Sequence, residues 1–411
     1  MKSPAIHLFH ESPVRLWGLS NRERLQRVLA RLGAETFVDN PADLSEDCSL
    51  VILRGDYLYD DRIIQSLLDH PGTVLTVTKD GSPVPVAAHI GKPLVRRVYK
   101  WIDSGQLPKS KPPGLKILTP DQLTSNYMQR LRKFDRPFVL PLTEAFRDQL
   151  EEHLFSWSYK GVTDLVTKWL WPTPAKKAVR FCVEHDIKPN QVTLAGFFLA
   201  VLAGLFFYQG WYFFGLLAGW LMTFLDTVDG KLARVTVTSS KFGHLFDHAI
   251  DIIHPPLWYL AWGVGLAAYG LPLTPGAWNA IVWLIWVGYL GGRLVEAIFT
   301  QFFGRFGIFC WQPRDSWFRL ITGRRNPCMI LLTLGWLAGR PDLGLWAVAL
   351  WTFFSTVYLG WRLYEAFKAR RNGPLEAWFT GIDPNNPGPE LELAVRVFTR
   401  RPTILPDGSR G

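Results

Sequence analysis

Residues 226–251 read Asp226-Thr-Val-Asp229-Gly230-Lys-Leu-Ala233-Arg234, then eight residues, then Gly243-His-Leu-Phe-Asp247-His-Ala-Ile-Asp251. Four aspartates stand at helical spacings inside 26 residues of an otherwise apolar region. A carboxylate there is costly without a partner, and intramembrane acids mark functional sites by default. Four acids cannot neutralise one another, so the segment calls for cations, and a pair of divalent metals is the natural candidate. At about 100° per residue, Asp226, Asp229, Gly230, Ala233 and Arg234 share a helix face roughly 140° wide, and Gly243, Asp247 and Asp251 fall within about 80° of each other. The short polar stretch 235–242 predicts two antiparallel helices whose acidic stripes face one another. Gly230, Ala233 and Gly243 leave room for a bulky group beside the acids.

The chemistry suggested by these residues is phosphoryl transfer. Mg²⁺, or Mn²⁺ in its place, takes a few carboxylates plus phosphate oxygens. Two such ions can clamp a diphosphate and stabilise both the attacking and the leaving oxygen. Arg234 adds a fork suited to phosphate, and a remaining acid can take the proton from an attacking hydroxyl. The structural alternative reads the aspartates as helix caps and Arg234 as an interface anchor, but caps do not require four acids on two facing stripes.

The spacing D-x2-D-G-x2-A-R-x8-G-x3-D-x3-D resembles the signature of the CDP-alcohol phosphotransferases at all eight defined positions. The resemblance covers roughly residues 160–370. It implies an integral membrane enzyme with six transmembrane helices and an active site near the cytoplasmic face, which displaces CMP from a CDP-linked alcohol by an acceptor hydroxyl. Carried over by position, Asp226, Asp229 and Asp247 are metal ligands. Asp251 is the general base and also touches the second metal. Gly230, Ala233, Arg234 and Gly243 hold the CDP moiety. Ile187-Lys-Pro-Asn190-Gln-Val-Thr193 resembles the family's entry to its first membrane helix, which brings Asn190 and Thr193 toward the nucleotide; plain helix capping is the alternative. Lys160-Gly-Val-Thr163-Asp164 resembles an element that precedes the membrane domain in related two-domain chains. Family members are commonly dimers, so a homodimer is expected.

Composition suits a membrane protein with soluble parts. Mean hydropathy is only +0.07 because a polar first portion dilutes an apolar second one. The 19 Trp residues fit membrane interfaces. The net charge of +10 is spread over expected cytoplasmic loops and the tail without a nucleic-acid motif. Anionic lipid headgroups are therefore the expected partner, not nucleic acid. Cys48, Cys182, Cys310 and Cys328 show no metal or redox spacing and read as reduced. No cleavable signal peptide is evident in the first 20 residues.

Six apolar segments, 192–208, 211–233, 243–269, 275–299, 326–338 and 343–367, read as spans, the fifth of them short. The turns at 209–210 and 270–274 carry no Lys or Arg, whereas residues 305–325 hold five arginines and the tail opens with Lys368, Arg370 and Arg371. The positive-inside rule then places both termini and the acidic cluster on the cytoplasmic side of an inner (plasma) membrane. Residues 164–186 read as a helix lying in the interface, broken at its prolines.

Residues 1–150 form a different unit. Strands are expected at 5–9, 35–38, 50–53 and 74–77, and helices at 21–32 and 61–68, an alternation that predicts an α/β layer fold. The helix around Arg22-Glu-Arg-Leu25 and the stretch Leu53-Arg-Gly-Asp56 faintly resemble a sugar-nucleotide nucleotidyltransferase, a domain to which some members are fused. Such a domain cradles a triphosphate in a Gly-rich basic loop; Ser12-Pro-Val-Arg-Leu-Trp-Gly18 stands in its place. A degenerate domain serving assembly or channelling is expected, with a donor-making bifunctional enzyme as the alternative.

The expected fold is thus an α-helical polytopic membrane domain of six transmembrane helices preceded by a small soluble α/β domain. The boundaries are 1–150 for the α/β unit, 151–189 for a linker with an interfacial amphipathic helix, 190–370 for the membrane domain and 371–411 for a basic tail. The donor is CDP-diacylglycerol or another CDP-linked alcohol. The acceptor is a hydroxyl compound such as an alcohol phosphate, with Arg293, Arg324 and Arg325 as the candidate anion pocket. Internal pairing of Arg293 with Glu296 is the competing reading for that residue. A non-catalytic scaffold or an ion-coupled transporter is the remaining alternative; a carrier would often repeat its broken helices in both halves, and the acid cluster occurs once.

Overall fold

The computed structural model describes residues 4–41, 48–128, 131–239, 241–304, 306–380, 382 and 387–399, and for 241–249 the backbone alone. The amino-terminal unit is built on a five-stranded sheet. Its order across the sheet is Ala5–Phe9, Ser49–Arg54, Ser82–Gly91, Thr73–Lys79 and Lys116–Leu118. The two outer pairings are parallel and the two inner ones antiparallel. Helices α1 (Asn21–Arg31), α2 (Asp61–Asp69) and α3 (Lys92–Ser104) cover it. A capping box, Ser20 with Glu23, starts α1, and Asp60 caps α2. Three of the four expected strands are present. Residues 35–38 contribute only a bridge from Phe37 to Ile6. The strand Ser82–Gly91 and helix α3 were not expected; Pro83 and Pro85 break the strand signal at its start.

Positions 15–20, which include the end of the 12–18 stretch, form a tight hairpin. Arg15–Leu16 pairs with Leu19–Ser20 across Trp17 and Gly18, which both take positive φ (49° and 77°), as a two-residue primed turn requires. Trp17 is buried and donates its backbone N–H to Glu151 Oε1 (2.9 Å) and its indole N–H to the Glu151 carbonyl (3.0 Å). Asp56 receives two hydrogen bonds from the Arg54 guanidinium.

A short helix α4 (Pro120–Leu123) and α5 (Arg147–Trp157) lead into the carboxy-terminal half. The expected interfacial helix is split: a π turn at Val166–Leu170 and then α6 (Pro172–Glu184), with the break at Pro172. The six expected apolar segments are helices α7 (Pro189–Tyr208), α8 (Tyr212–Val235), α9 (Lys241–Ala268), α10 (Pro275–Phe303), α12 (Arg325–Leu337) and α13 (Pro341–Arg370). Short helices α11 (Pro313–Ile321) and α14 (Glu392–Phe398) lie outside this set. Pro189, Pro275 and Pro341 open their helices, where no intrahelical N–H is lost.

Among the described residues, α7, α10 and α13 are long and apolar enough to cross a membrane. The expectation of six spans is thus met by three. The 13 residues of α12 fall short of the roughly 20 that a bilayer needs, and the charged residues of α8 dilute its last turns. Large apolar side chains face outward, with Trp283 71% and Leu337 67% exposed, as a lipid-facing surface demands.

Small residues bring the helices together. A Cβ on Gly288 of α10 would stand 2.6 Å from the backbone N of Phe353 on α13, so the two backbones touch there. Trp258 and Trp262 anchor α9 in the interior, their indoles donating to the carbonyls of Ala200 (2.8 Å) and Pro341 (3.0 Å). A fully buried Arg362 on α13 grips Asp315 of α11 through two hydrogen bonds (2.5 and 3.0 Å).

The α/β unit meets the helices at one consequential point. Arg24 and Arg27 of α1 donate to the carbonyls of Val235 and Thr236, both at 2.7 Å. These are orphan acceptors at the carboxyl end of α8, and cations there complement the helix dipole.

Candidate active site

Helix α8 ends in the aspartate stripe, and α9 returns beside it. Asp226 and Asp251 converge on one guanidinium. Arg325, at the first turn of α12, places Nη2 2.5 Å from Asp226 Oδ2 and Nη1 2.5 Å from Asp251 Oδ1. Asp229 is buried, and its Oδ2 accepts from the Thr193 hydroxyl of α7 at 2.6 Å. Four helices therefore contribute to one constellation. The helical spacing did its work: Asp226 and Asp229 lie less than one turn apart, and Asp251 faces them from the next helix.

Other expected residues take supporting places. A Cβ on Gly230 would stand 2.9 Å from Arg234 Nη2, so the glycine makes room for that guanidinium. Ala233, one position earlier, accepts the backbone N–H of Thr238 (2.9 Å) as the chain leaves α8. Asn190 is exposed at the start of α7, whose cap hydrogen bond comes instead from the Lys188 N–H to Gln191 Oε1 (2.8 Å). Gly243 and Asp247 lie on α9, outside the residues whose side chains are described.

The three candidate acceptor arginines divide. Arg325 sits on the aspartates. Arg324 pairs with Glu296, and Arg293 lies 4.0 Å from the same carboxylate. Arg293 also stacks over Tyr289 (5.3 Å) and reaches its hydroxyl at 3.5 Å, while that hydroxyl donates to the Asp251 carbonyl at 2.9 Å. The Arg293–Tyr289 pair thus supports the helix turn that carries Asp251.

Reading the sequence missed the network that holds Arg325. Asp164, from the Lys160–Asp164 element, is buried and accepts from Asn326 Nδ2 (2.9 Å) and from the backbone N–H (3.0 Å) and hydroxyl (2.9 Å) of Thr167. Burial alone would raise its pKa; the nearby Arg319 and these hydrogen bonds outweigh that and hold it below the ordinary carboxylate value. Asn326 follows Arg325 directly, so Asp164 fixes the turn that aims the guanidinium. The only signal in the sequence was the Thr-Asp pair itself.

Carboxylate oxygens are the donors that hard divalent ions prefer, so the residues fit Mg²⁺ in kind. Among the described residues, no three acidic or other ligating side chains are gathered closely enough to hold an ion.

Residues 187–304 match the family described as CDP-alcohol phosphatidyltransferase, a span that contains all four aspartates. Over this segment, less than a third of the chain, the sequence is similar to that family. Members of that family use divalent metal ions and act on a CDP-alcohol donor and a hydroxyl acceptor. The chain is also 44% identical over 79 residues to an archaetidylinositol phosphate synthase of Pyrococcus horikoshii, covering 19% of this chain and 42% of the relative. It is 34% identical over 130 residues to cholinephosphotransferase 1 of Gallus gallus (28% and 37%). It is 33% identical over 120 residues to a CDP-diacylglycerol–serine O-phosphatidyltransferase of Helicobacter pylori (28% and 41%). The chain spans less than half the length of these curated relatives. The α/β unit, Arg324 and Arg325 lie outside the family match.

Proposed function

We propose that this chain is a multi-pass membrane CDP-alcohol phosphotransferase of phospholipid or related phosphodiester biosynthesis. It moves a substituted phosphate from a CDP-alcohol, CDP-diacylglycerol or another, to an acceptor hydroxyl and releases CMP. The observation that carries this reading is the convergence of Asp226 and Asp251, from two helices of the family segment, on Arg325, with Asp229 buried less than one turn along on Thr193.

Asp226, Asp229 and Asp247 would hold divalent ions, which when bound supply charge neutralisation for the diphosphate and the departing CMP. Asp251 takes the acceptor's proton as the hydroxyl attacks the phosphorus distal to cytidine. Thr193 fixes the rotamer of Asp229 through its 2.6 Å hydrogen bond. Arg234, kept close to the backbone by Gly230, binds the diphosphate. Arg293 and Arg324 bind an anionic acceptor beside Glu296, and Arg325 steadies Asp251. Residues 1–150 act as an assembly domain. Support for this comes from the packed Trp17 hairpin where a triphosphate loop would lie, and from the Arg24 and Arg27 contacts to α8. Both termini and the aspartates face the cytoplasm, on the strength of the arginine-rich 305–325 connection.

The test is CMP release by the purified full chain with Mg²⁺ and CDP-diacylglycerol, against a panel of alcohols and alcohol phosphates. Metal-dependent release with one acceptor is expected, and Asp229→Asn and Asp251→Asn should abolish it. Undiminished turnover in either variant overturns the assignment of roles. Absence of release with every CDP-alcohol donor overturns the function.

A further inference from the structure

A cavity of about 850 Å³ opens between the end of α5, the loop that follows it, α6 and α14. Six cationic side chains line it: Lys133, Lys160, Lys168, Lys176, Lys177 and Arg180. Three are matched locally. Lys133 pairs with Asp135 (2.6 Å), Lys176 with Glu152, and Arg180 with Glu151 (2.9 Å). Lys160, Lys168 and Lys177 have no carboxylate in contact among the described residues.

Lys168 is the most constrained of these. Its ammonium donates to the Gly161 carbonyl (3.0 Å) and lies 5.2 Å over the Phe398 ring, and burial pulls its pKa down to about 8. A buried ammonium in a cavity that two further lysines line favours an anion. Phe155, Tyr159 and Phe398 give the same cavity an apolar wall. The elements that line it also carry Trp169, Leu170 and Phe181, each more than half exposed. Aromatic and aliphatic side chains projecting beside lysines are the pattern of a segment lying in a membrane interface.

We propose that this cavity binds the phosphate of an anionic phospholipid headgroup, on Lys160, Lys168 and Lys177. Lysines act as point charges without a fixed fork, so the site reads phosphate charge more than headgroup shape. A soluble phosphate presents the same chemistry from the water side. Lys160 also feels the charge of Asp226 and Asp251, so the cavity adjoins the aspartates on that side; binding at Lys168 and Lys177 requires no turnover.

The test uses the full chain in neutral detergent, with acyl-labelled phosphatidic acid as probe and acyl-labelled phosphatidylcholine as control. The Lys168→Gln/Lys177→Gln double variant is the main comparison. The exposed Lys177→Gln variant alone guards against misfolding, and thermal unfolding checks both. Retention of phosphatidic acid should fall roughly tenfold or more in the double variant, the worth of two lysines near an anionic surface, and partly in the single one, with the control unchanged. Equal retention by folded variants and wild type overturns the site. Binding of inorganic phosphate but not of labelled phosphatidic acid, lost in the double variant, overturns the lipid as the source. Because binding is read directly, a failure of the transferase reading leaves this result standing, and the reverse holds.

Discussion

Replacing Arg325 by Met separates charge from packing at the centre of the site. The guanidinium makes two charge-assisted hydrogen bonds of 2.5 Å, to Asp226 and Asp251. Its own side chain is 13% exposed and that of Asp226 19%, whereas Asp251 is 37% exposed. Removing one partner of a buried pair costs roughly 3–5 kcal/mol. Solvent screens the Asp251 half, so about 2–4 kcal/mol is expected here. The assay is thermal unfolding of the detergent-purified full chain, in chelator and in excess Mg²⁺. In chelator the variant should melt well below wild type, because two carboxylates lose their shared cation. In Mg²⁺ an ion can supply the missing charge without competing against Arg325. The rescue follows RT ln(1 + [L]/Kd), about 2.7 kcal/mol at a hundredfold excess over Kd. The Mg²⁺-induced rise in Tm should therefore be larger in R325M than in wild type. An identical rise in both proteins, or no loss of stability in chelator, refutes the reasoning.

Three further outcomes are expected. Thr193→Val keeps the side-chain shape but removes the hydrogen bond to buried Asp229, worth roughly 1.5–3 kcal/mol; the Mg²⁺ concentration for half-maximal CMP release should rise about tenfold or more, and an unchanged activation curve counts against the role. Arg24→Met leaves the Val235 carbonyl without its 2.7 Å donor, so limited proteolysis between the α/β unit and α8 should accelerate while the sheet itself stays intact by hydrogen exchange. Asp164 has a folded pKa below its ordinary value of 3.8. Its contribution is therefore fully present above that value and is lost as pH falls through the depressed one. The stability gap between wild type and Asp164→Asn should narrow on acidification, and a gap that widens would show the sign to be wrong.

The helical half was largely legible because its signals are local. Apolar runs bounded by proline at 189, 275 and 341 fix where α7, α10 and α13 begin, and the aspartate spacing places its side chains on one face. The number of helices able to cross a bilayer was less legible: α12 has the short length its apolar run shows, and the charged residues that end α8 interrupt an otherwise apolar helix. The division of labour among the arginines could not be read at all. Arg324 and Arg325 are neighbours in sequence, yet Arg324 caps α12 and faces Glu296, while Arg325 is about 100° further round and faces the aspartates. In the α/β unit, Ser82–Gly91 was hidden by its two prolines, and residues 35–38, which have strand composition, bridge only once because the chain turns away.

The contacts from Arg24 and Arg27 join residues 211 and 209 positions apart. Synthesis delivers the amino-terminal residues first, so α1 waits through the making of six further helices before the carbonyls it must meet exist. Until then, among the described residues, Arg24 has only the Leu16 carbonyl of its own unit to donate to (3.3 Å). Docking of the α/β unit onto the end of α8 is thus the later of the two events. It also ties the α/β unit to the same end of α8 that carries Asp226 and Asp229, so that a shift of one is felt by the other.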